Sequence, residues 1–191
     1  MKLEQIIKNL LQTKDHVVIV FDGMSASLKT TYSTYLQNKY QARVIHMDDF
    51  YLPFDKREKD WEQKIAGNID FVRFQEEVVD HINEDINLRK YSCKNKSYSD
   101  VICLRKTRLT IIEGAYALHP TLPKYFDEGF IFLVDDETQK ARIIKREGIN
   151  NAQDFIDKWV SRENYYLSYF HLKRKYLNIT INDDDLGEEN E

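Results

Sequence analysis

The segment Asp22-Gly23-Met24-Ser25-Ala26-Ser27-Leu28-Lys29-Thr30-Thr31 constrains this chain more than any other. It follows the apolar run Val17-Val18-Ile19-Val20-Phe21. An uninterrupted, β-branched run of that length suits a parallel strand covered on both faces. The residues after it approach a pattern of glycine, four variable residues, then Gly-Lys-Ser/Thr. In that pattern backbone N–H groups cradle phosphates, the lysine reaches the β- and γ-phosphates, and the hydroxyl binds Mg²⁺. Gly23, Lys29 and Thr30 fall in register, but Leu28 stands where the last glycine belongs. Glycine takes positive φ at no steric cost, whereas a left-handed leucine is strained by about 1–2 kcal/mol. Leu28 therefore sits either in an altered loop with an allowed conformation or in the usual loop with strain. The candidate phosphate-binding residues are Gly23, Met24, Ser25, Ala26, Ser27, Leu28, Lys29, Thr30 and Thr31. An ordinary strand–turn–helix would also use these residue types. The strand before and the helix expected after favour the phosphate loop.

The chain has 191 residues, enough for one domain with a sizeable core. Hydrophobic residues make up 42% and aromatic residues 13%, so the chain is expected to be globular. A net charge of −4 gives no support for a nucleic-acid partner. Cys93 and Cys103 make no disulfide framework, the start Met1-Lys2-Leu3-Glu4 is no signal peptide, and no apolar run approaches a membrane span. A cytoplasmic protein without membrane association is expected.

Apolar spacing predicts a helix over 3–12, a helix from about 29 to 40 and a second strand over 42–47. Residues 50–68 are irregular and read as a functional loop. Asp70 opens a helix with Phe71, Phe74, Val78, Ile82 and Ile86 on its apolar face. A small hairpin is expected within 91–104, core strands over 109–112 and 130–134, a basic helix over 138–146, and a helix over 151–170. Trp159 and Tyr166 are assigned to the core, and Ile179 and Ile181 to a last short strand. Strands alternating with helices imply an α/β fold: three layers, a central parallel sheet and helices on both faces, as in phosphate-loop NTPases. A single domain would span 1–181, with a lid at about 138–150 and an acidic, frayed tail over 182–191.

Ligands of such sheets bind beyond the carboxyl ends of the strands. Strand two ends in Met47-Asp48-Asp49-Phe50-Tyr51. A carboxylate there is placed to take a proton from a substrate hydroxyl, and Tyr51 to stack on or hydrogen-bond to that substrate. A capped turn would use the same aspartates. Strand three ends in Glu113-Gly114-Ala115-Tyr116-Ala117-Leu118-His119-Pro120. Glu113 could hold Mg²⁺ through water, and Tyr116 joins Asp48, Tyr51 and Glu113 as a candidate acceptor contact. His119 reads as a loop residue. Lys140, Arg142, Lys145 and Arg146 would form either a lid that neutralises phosphoryl charge or a solvated basic face.

Together, DGMSASLKTT, HMDDFYLP, NIDFVRFQEEV, YSCKNKS, IIEGAYALHP, ARIIKREG and WVSRENYY resemble, in the same order, the uridine kinase family of phosphate-loop kinases, which includes relatives acting on pantothenate and phosphoribulose. The resemblance implies ATP-dependent phosphorylation of a small hydroxyl compound with Mg²⁺. It assigns phosphate contact to Lys29, Mg²⁺ coordination to Thr30, and the general base to Asp48. It places Tyr51 against the acceptor, Glu113 in the Mg²⁺ water shell, and Arg142 and Arg146 as lid cations. The family loop reads close to Gly-x-Ser-Gly-Ser-Gly-Lys-Ser/Thr, so Ala26 and Leu28 replace two glycines. Three readings stay open: a nucleoside kinase, a kinase of a non-nucleoside acceptor, and a nucleotide- or partner-binding protein on the same fold.

Overall fold

A computed structural model describes residues 2–183. The expectation for the acidic tail falls almost entirely outside the described residues. A five-stranded parallel sheet carries the molecule, in the order β2 (Arg43–His46), β7 (Leu109–Glu113), β1 (Val17–Gly23), β8 (Glu128–Leu133), β9 (Leu177–Thr180). Alternation along β1 divides the core in two. Val17, Ile19 and Phe21 face α1 (Lys2–Thr13) and α2 (Lys29–Tyr40), where Leu3, Ile7, Tyr32 and Leu36 are buried. Val18 and Val20 face the opposite layer, with Met47, Phe50, Phe74, Tyr166 and Leu167. The expected three-layer arrangement is present.

The connection from β2 to β7 holds the accessory structure. A 3₁₀ turn, Met47–Phe50, leads through irregular chain to α3 (Phe71–Phe74), which widens into a π turn over Gln75–Val79. Asp70 caps α3 by accepting from the Arg73 N–H, as its position in the sequence implies. The helix is shorter than the apolar spacing suggested. Ile86 lies not on its face but in β3 (Ile86–Leu88), which pairs antiparallel with β6 (Ile102–Leu104). Buried Ile86 and Leu88 alternate with exposed Asn87, a strand pattern too short to stand out beside the helical spacing. At the tip of this arm β4 (Tyr91–Ser92) pairs with β5 (Ser97–Tyr98), so the expected hairpin is real and begins earlier.

Helix α4 (Asp136–Glu147) follows β8, capped by Asp135. Gly148 then separates it from α5 (Ile149–Phe155), and a π turn over Ile156–Val160 joins α5 to α6 (Ser161–Tyr169). A short α7 (Leu172–Lys175) leads into β9. Tyr166 is in the core, but Trp159 is not. Its ring is only partly covered and stands 6.4 Å from that of Trp61 at the cleft. The π turn rotates the apolar stripe there, which a fixed helical period cannot anticipate. No helix among the described residues is long and apolar enough to cross a membrane.

Candidate active site

The carboxyl ends of β1, β2 and β7 open into one cleft of about 980 Å³. Residues 25–31 of the loop, Asp48, Tyr51, Glu113, Tyr116, Arg142 and Arg146 all line it. The sheet order makes this so: β7 lies between β2 and β1, which brings segments distant in sequence to adjacent strand ends.

At the loop, Gly23 has φ 126°, and a Cβ there would lie 2.2 Å from the Phe132 carbonyl oxygen, so no other residue fits beside β8. Ala26 and Leu28 have φ 59° and 65°. The two positions where the family pattern has glycine thus keep a glycine-like backbone without glycine. Leu28 takes the strained alternative, and its side chain packs on the apolar layer beneath α2. It also provides no side-chain cap to α2, whose first N–H groups lack intrahelical acceptors. Among the described residues the buried Ser27 hydroxyl has no hydrogen-bond partner. An orphaned hydroxyl in a loop turned at a helix N-terminus fits a phosphate ligand.

One main-chain bond and several side chains hold the backbone of this loop. Met24 N–H donates to Phe132 O (3.0 Å) and Lys29 Nζ to Met24 O (2.9 Å). Glu163 accepts from the Ser25 N–H (2.7 Å) through one carboxylate oxygen and from the Ser25 hydroxyl (2.6 Å) through the other. Gln139 donates to Ser25 O (2.8 Å) and Arg142 to Ala26 O (3.0 Å). Arg142 also pairs with Asp183 (3.1 Å), so its guanidinium is attached at the loop, whereas Arg146 pairs with Glu147 (2.7 Å) and lies over Phe155. Burial pushes the Glu163 carboxyl up, opposed by the Lys29 charge and the Ser25 bonds. Glu163 stands inside the WVSRENYY segment but carried no signal of its own. A glutamate on a helix reads as a solvated residue until its helix is docked.

The remaining groups complete the cleft. Thr30 Oγ1 donates to Glu113 (3.0 Å), whose other oxygen accepts from His46 Nδ1 (2.5 Å). The hydrogen bond to Glu113 is the main cause that raises His46 above the usual histidine value. Among the described residues no three His, Cys, Asp or Glu side chains group to hold a metal. The Thr30–Glu113 pair suits an ion that keeps water and phosphate oxygens as most of its ligands, as Mg²⁺ does. Asp48 opens onto the cleft and accepts from the Tyr51 hydroxyl (2.9 Å). Crowding by the cleft walls raises its carboxyl above the usual aspartate value, opposed by the Tyr51 bond, while Glu113 adds to the rise.

Tyr116 has φ 71°, and its N–H donates to Asp22 (3.1 Å). Asp22 is fully buried and also receives Gly23 N–H (2.6 Å), Leu118 N–H (2.8 Å) and the Tyr166 hydroxyl (2.7 Å), which fastens the segment after β7 to the end of β1. His119 lies in the loop as expected, its ring stacked 4.7 Å from Phe71, and burial lowers its pKa to about 4.

The parallel sheet, the loop after its central strand and the helices on both faces define the fold of the phosphate-loop kinases. Solved structures of kinases share it. One is described as a possible uridine kinase from Bacillus stearothermophilus: TM-score 0.68, 20% identity, covering 94% of this chain and all of that one. Another is D-glycerate 3-kinase from Cryptococcus neoformans, with TM-score 0.55 and 14% identity, covering 80% of this chain and 79% of that one. No family model matches the chain, and no curated protein matches its sequence.

Proposed function

We propose that this protein is a kinase that moves the γ-phosphoryl group of ATP to a hydroxyl of a small metabolite, with a nucleoside such as uridine or cytidine as the first acceptor to test. The observation that carries the reading is the convergence of Lys29, Thr30, Glu113 and Asp48 on one cleft. The loop backbone and Lys29 would hold the triphosphate, and Thr30 and Glu113 would face Mg²⁺. Bound with the nucleotide, Mg²⁺ would offset charge on the phosphate oxygens. Asp48 would accept the hydroxyl proton as the acceptor oxygen bonds to phosphorus and the bond to ADP breaks. Its raised pKa brings it nearer the operating pH, which suits a base. Tyr51, hydrogen-bonded to Asp48, would orient it, and Tyr116 would border the acceptor. Arg146, on the lid side, would add positive charge beside the transferred group.

A second reading, a kinase of an anionic, non-nucleoside acceptor, is favoured by Arg57. It lines the same cleft, its guanidinium lies 4.0 Å from the Phe54 ring centre and 4.5 Å from that of Trp61, and its Nε donates to Leu52 O. Among the described residues no carboxylate pairs with it. A coupled ADP-release assay with Mg²⁺-ATP and a panel of uridine, cytidine, pantothenate, sugars and sugar phosphates tests both readings. Turnover with the nucleosides alone supports the first, and turnover with the anionic acceptors alone supports the second. A thermal shift with Mg²⁺-ATP but no turnover on any acceptor would replace both with a nucleotide-binding protein.

A further inference from the structure

We infer that Glu163 is a positioning residue that holds the phosphate loop in the shape Ala26 and Leu28 do not favour by themselves. The inference deepens the nucleotide-binding reading above and rests on it for its functional consequence. With glycine at both positions, the left-handed turns would come at no steric cost. Alanine and leucine prefer other conformations, so a loop with φ 59° and 65° at these positions needs an external restraint. Such strain persists only where the surroundings over-determine it.

Glu163 supplies the tightest part of that restraint. It is 7% exposed, lies 138 residues from Ser25, and is held on α6 by the packing of Tyr166 and Leu167 in the core. Its two oxygens take the Ser25 N–H and the Ser25 hydroxyl separately, which fixes both the backbone and the χ1 rotamer of the residue preceding Ala26. Charge-assisted bonds of this length are the stronger kind. Gln139 and Arg142, both on α4, take the Ser25 and Ala26 carbonyls, so two helices that flank the cleft grip two consecutive loop residues, while Lys29 of α2 holds the Met24 carbonyl. The Ser25 N–H is thereby spent on the protein, which leaves phosphate binding to the amides that follow it. Two donors converge on the carboxylate. A glutamine of the same size could accept from the Ser25 N–H and donate its NH₂ group to Ser25 Oγ, because a hydroxyl also accepts. Alanine removes both bonds, so Glu163→Ala is the variant that tests the grip.

Hydrogen exchange on the full chain without nucleotide tests this directly, in the unmodified protein, in Glu163→Ala, and in Glu163→Ala combined with Ala26→Gly and Leu28→Gly. Glu163→Ala should speed exchange at residues 24–30 by about tenfold or more while the amides of β1 and β7 stay protected, and the two glycines should restore part of the loss. Unchanged exchange at the loop overturns the inference. So does acceleration spread equally over the sheet, since that marks general destabilisation. Mg²⁺-ATP titration separates the two levels. In a protein that binds nucleotide, Glu163→Ala should raise the dissociation constant by about tenfold, which is about 1.4 kcal/mol. If the unmodified protein binds none, the nucleotide reading fails while the exchange result still decides the role of Glu163 in the loop.

Discussion

The two walls of the cleft are held by different means. The phosphate-loop wall, residues 24–30, is gripped by side chains from far along the chain: Glu163, Gln139 and Arg142. The acceptor wall is built mostly from neighbours in sequence. Tyr51 bonds to Asp48, and Arg57 bonds to Leu52 and stacks on Phe54. Its ties to residues farther along the chain include Arg73 to Asp49 O (2.6 Å), the Lys90–Asp49 pair (3.0 Å), Leu52 N–H to Asn68 O (2.8 Å), Lys158 and Arg162 on Glu62 (3.1 and 3.6 Å) and the contact of Trp61 with Trp159, several of them between exposed side chains. Phe54 at its rim is half exposed. The first wall is thus set by buried tertiary bonds. The second has more local, more exposed contacts, of the kind that open at low cost. Under the proposed function a constant triphosphate would meet the first wall and a variable acceptor the second.

Substitutions can break the comparison at several points. Asp48→Asn keeps the shape of the acceptor wall and removes the proposed base, so kcat should fall by about 10²–10⁴-fold. Mg²⁺-ATP affinity, measured by calorimetry, should stay near that of the unmodified protein. Retained turnover would remove Asp48 from the chemistry. On the other wall, Gly23→Ala drives a Cβ into the Phe132 carbonyl at a positive φ. A loss of about 3 kcal/mol or more is expected. Thermal unfolding should show a midpoint lower by roughly 10 °C, and an unchanged midpoint would mean that β8 yields.

Arg57→Ala sharpens the acceptor side. Under the anionic-acceptor reading KM for the acceptor should rise about tenfold, about 1.4 kcal/mol, with kcat and the ATP constants little changed. An unchanged KM assigns Arg57 to the Phe54–Trp61 stack alone. Leu28→Gly tests whether the loop's restraint is complete. The relief of about 1–2 kcal/mol of strain is opposed by lost contact with the apolar layer and by glycine's entropy in the unfolded chain. Stability should therefore move by less than about 1 kcal/mol. A gain in Mg²⁺-ATP affinity beyond about tenfold would show that tertiary restraint leaves the loop poorly set.

The smallest effect concerns pH. The folded-state pKa of His46 is raised by Glu113, so its stabilising contribution is full below the unfolded histidine value of 6.5 and is lost as pH rises through the raised value. His46→Gln should lower the unfolding midpoint more at pH 6 than at pH 8.5, by about 2–4 °C. A difference of the opposite sign would exclude the ion pair. Asp48, the proposed base, should behave oppositely: its ionised form would take the proton, so kcat should rise with pH through a value above the usual 3.8.

Much of the site could be read along the chain because its chemistry sits at strand ends. Lys29, Thr30, Asp48 and Glu113 each follow an apolar run whose periodicity is plain, and the order of the strands then brings them together. The misplaced elements share one cause. Ile86 and Trp159 lie where a π turn or a very short strand breaks the period that apolar spacing follows. Glu163 was missed for a different reason: its partner is 138 residues away, and nothing local marks a glutamate as buried.

The sequence by itself determined a strand, a loop and a helix at residues 17–40, the residue types that can meet phosphate, a metal and a hydroxyl, and the parallel α/β arrangement around them. Hydrophobic periodicity and residue chemistry are local properties, and they survive without the fold. Only the tertiary structure decided how the loop keeps its shape with alanine and leucine at two left-handed positions. Local preference opposes those conformations, and the groups that impose them arrive on α4 and α6 once the core has packed.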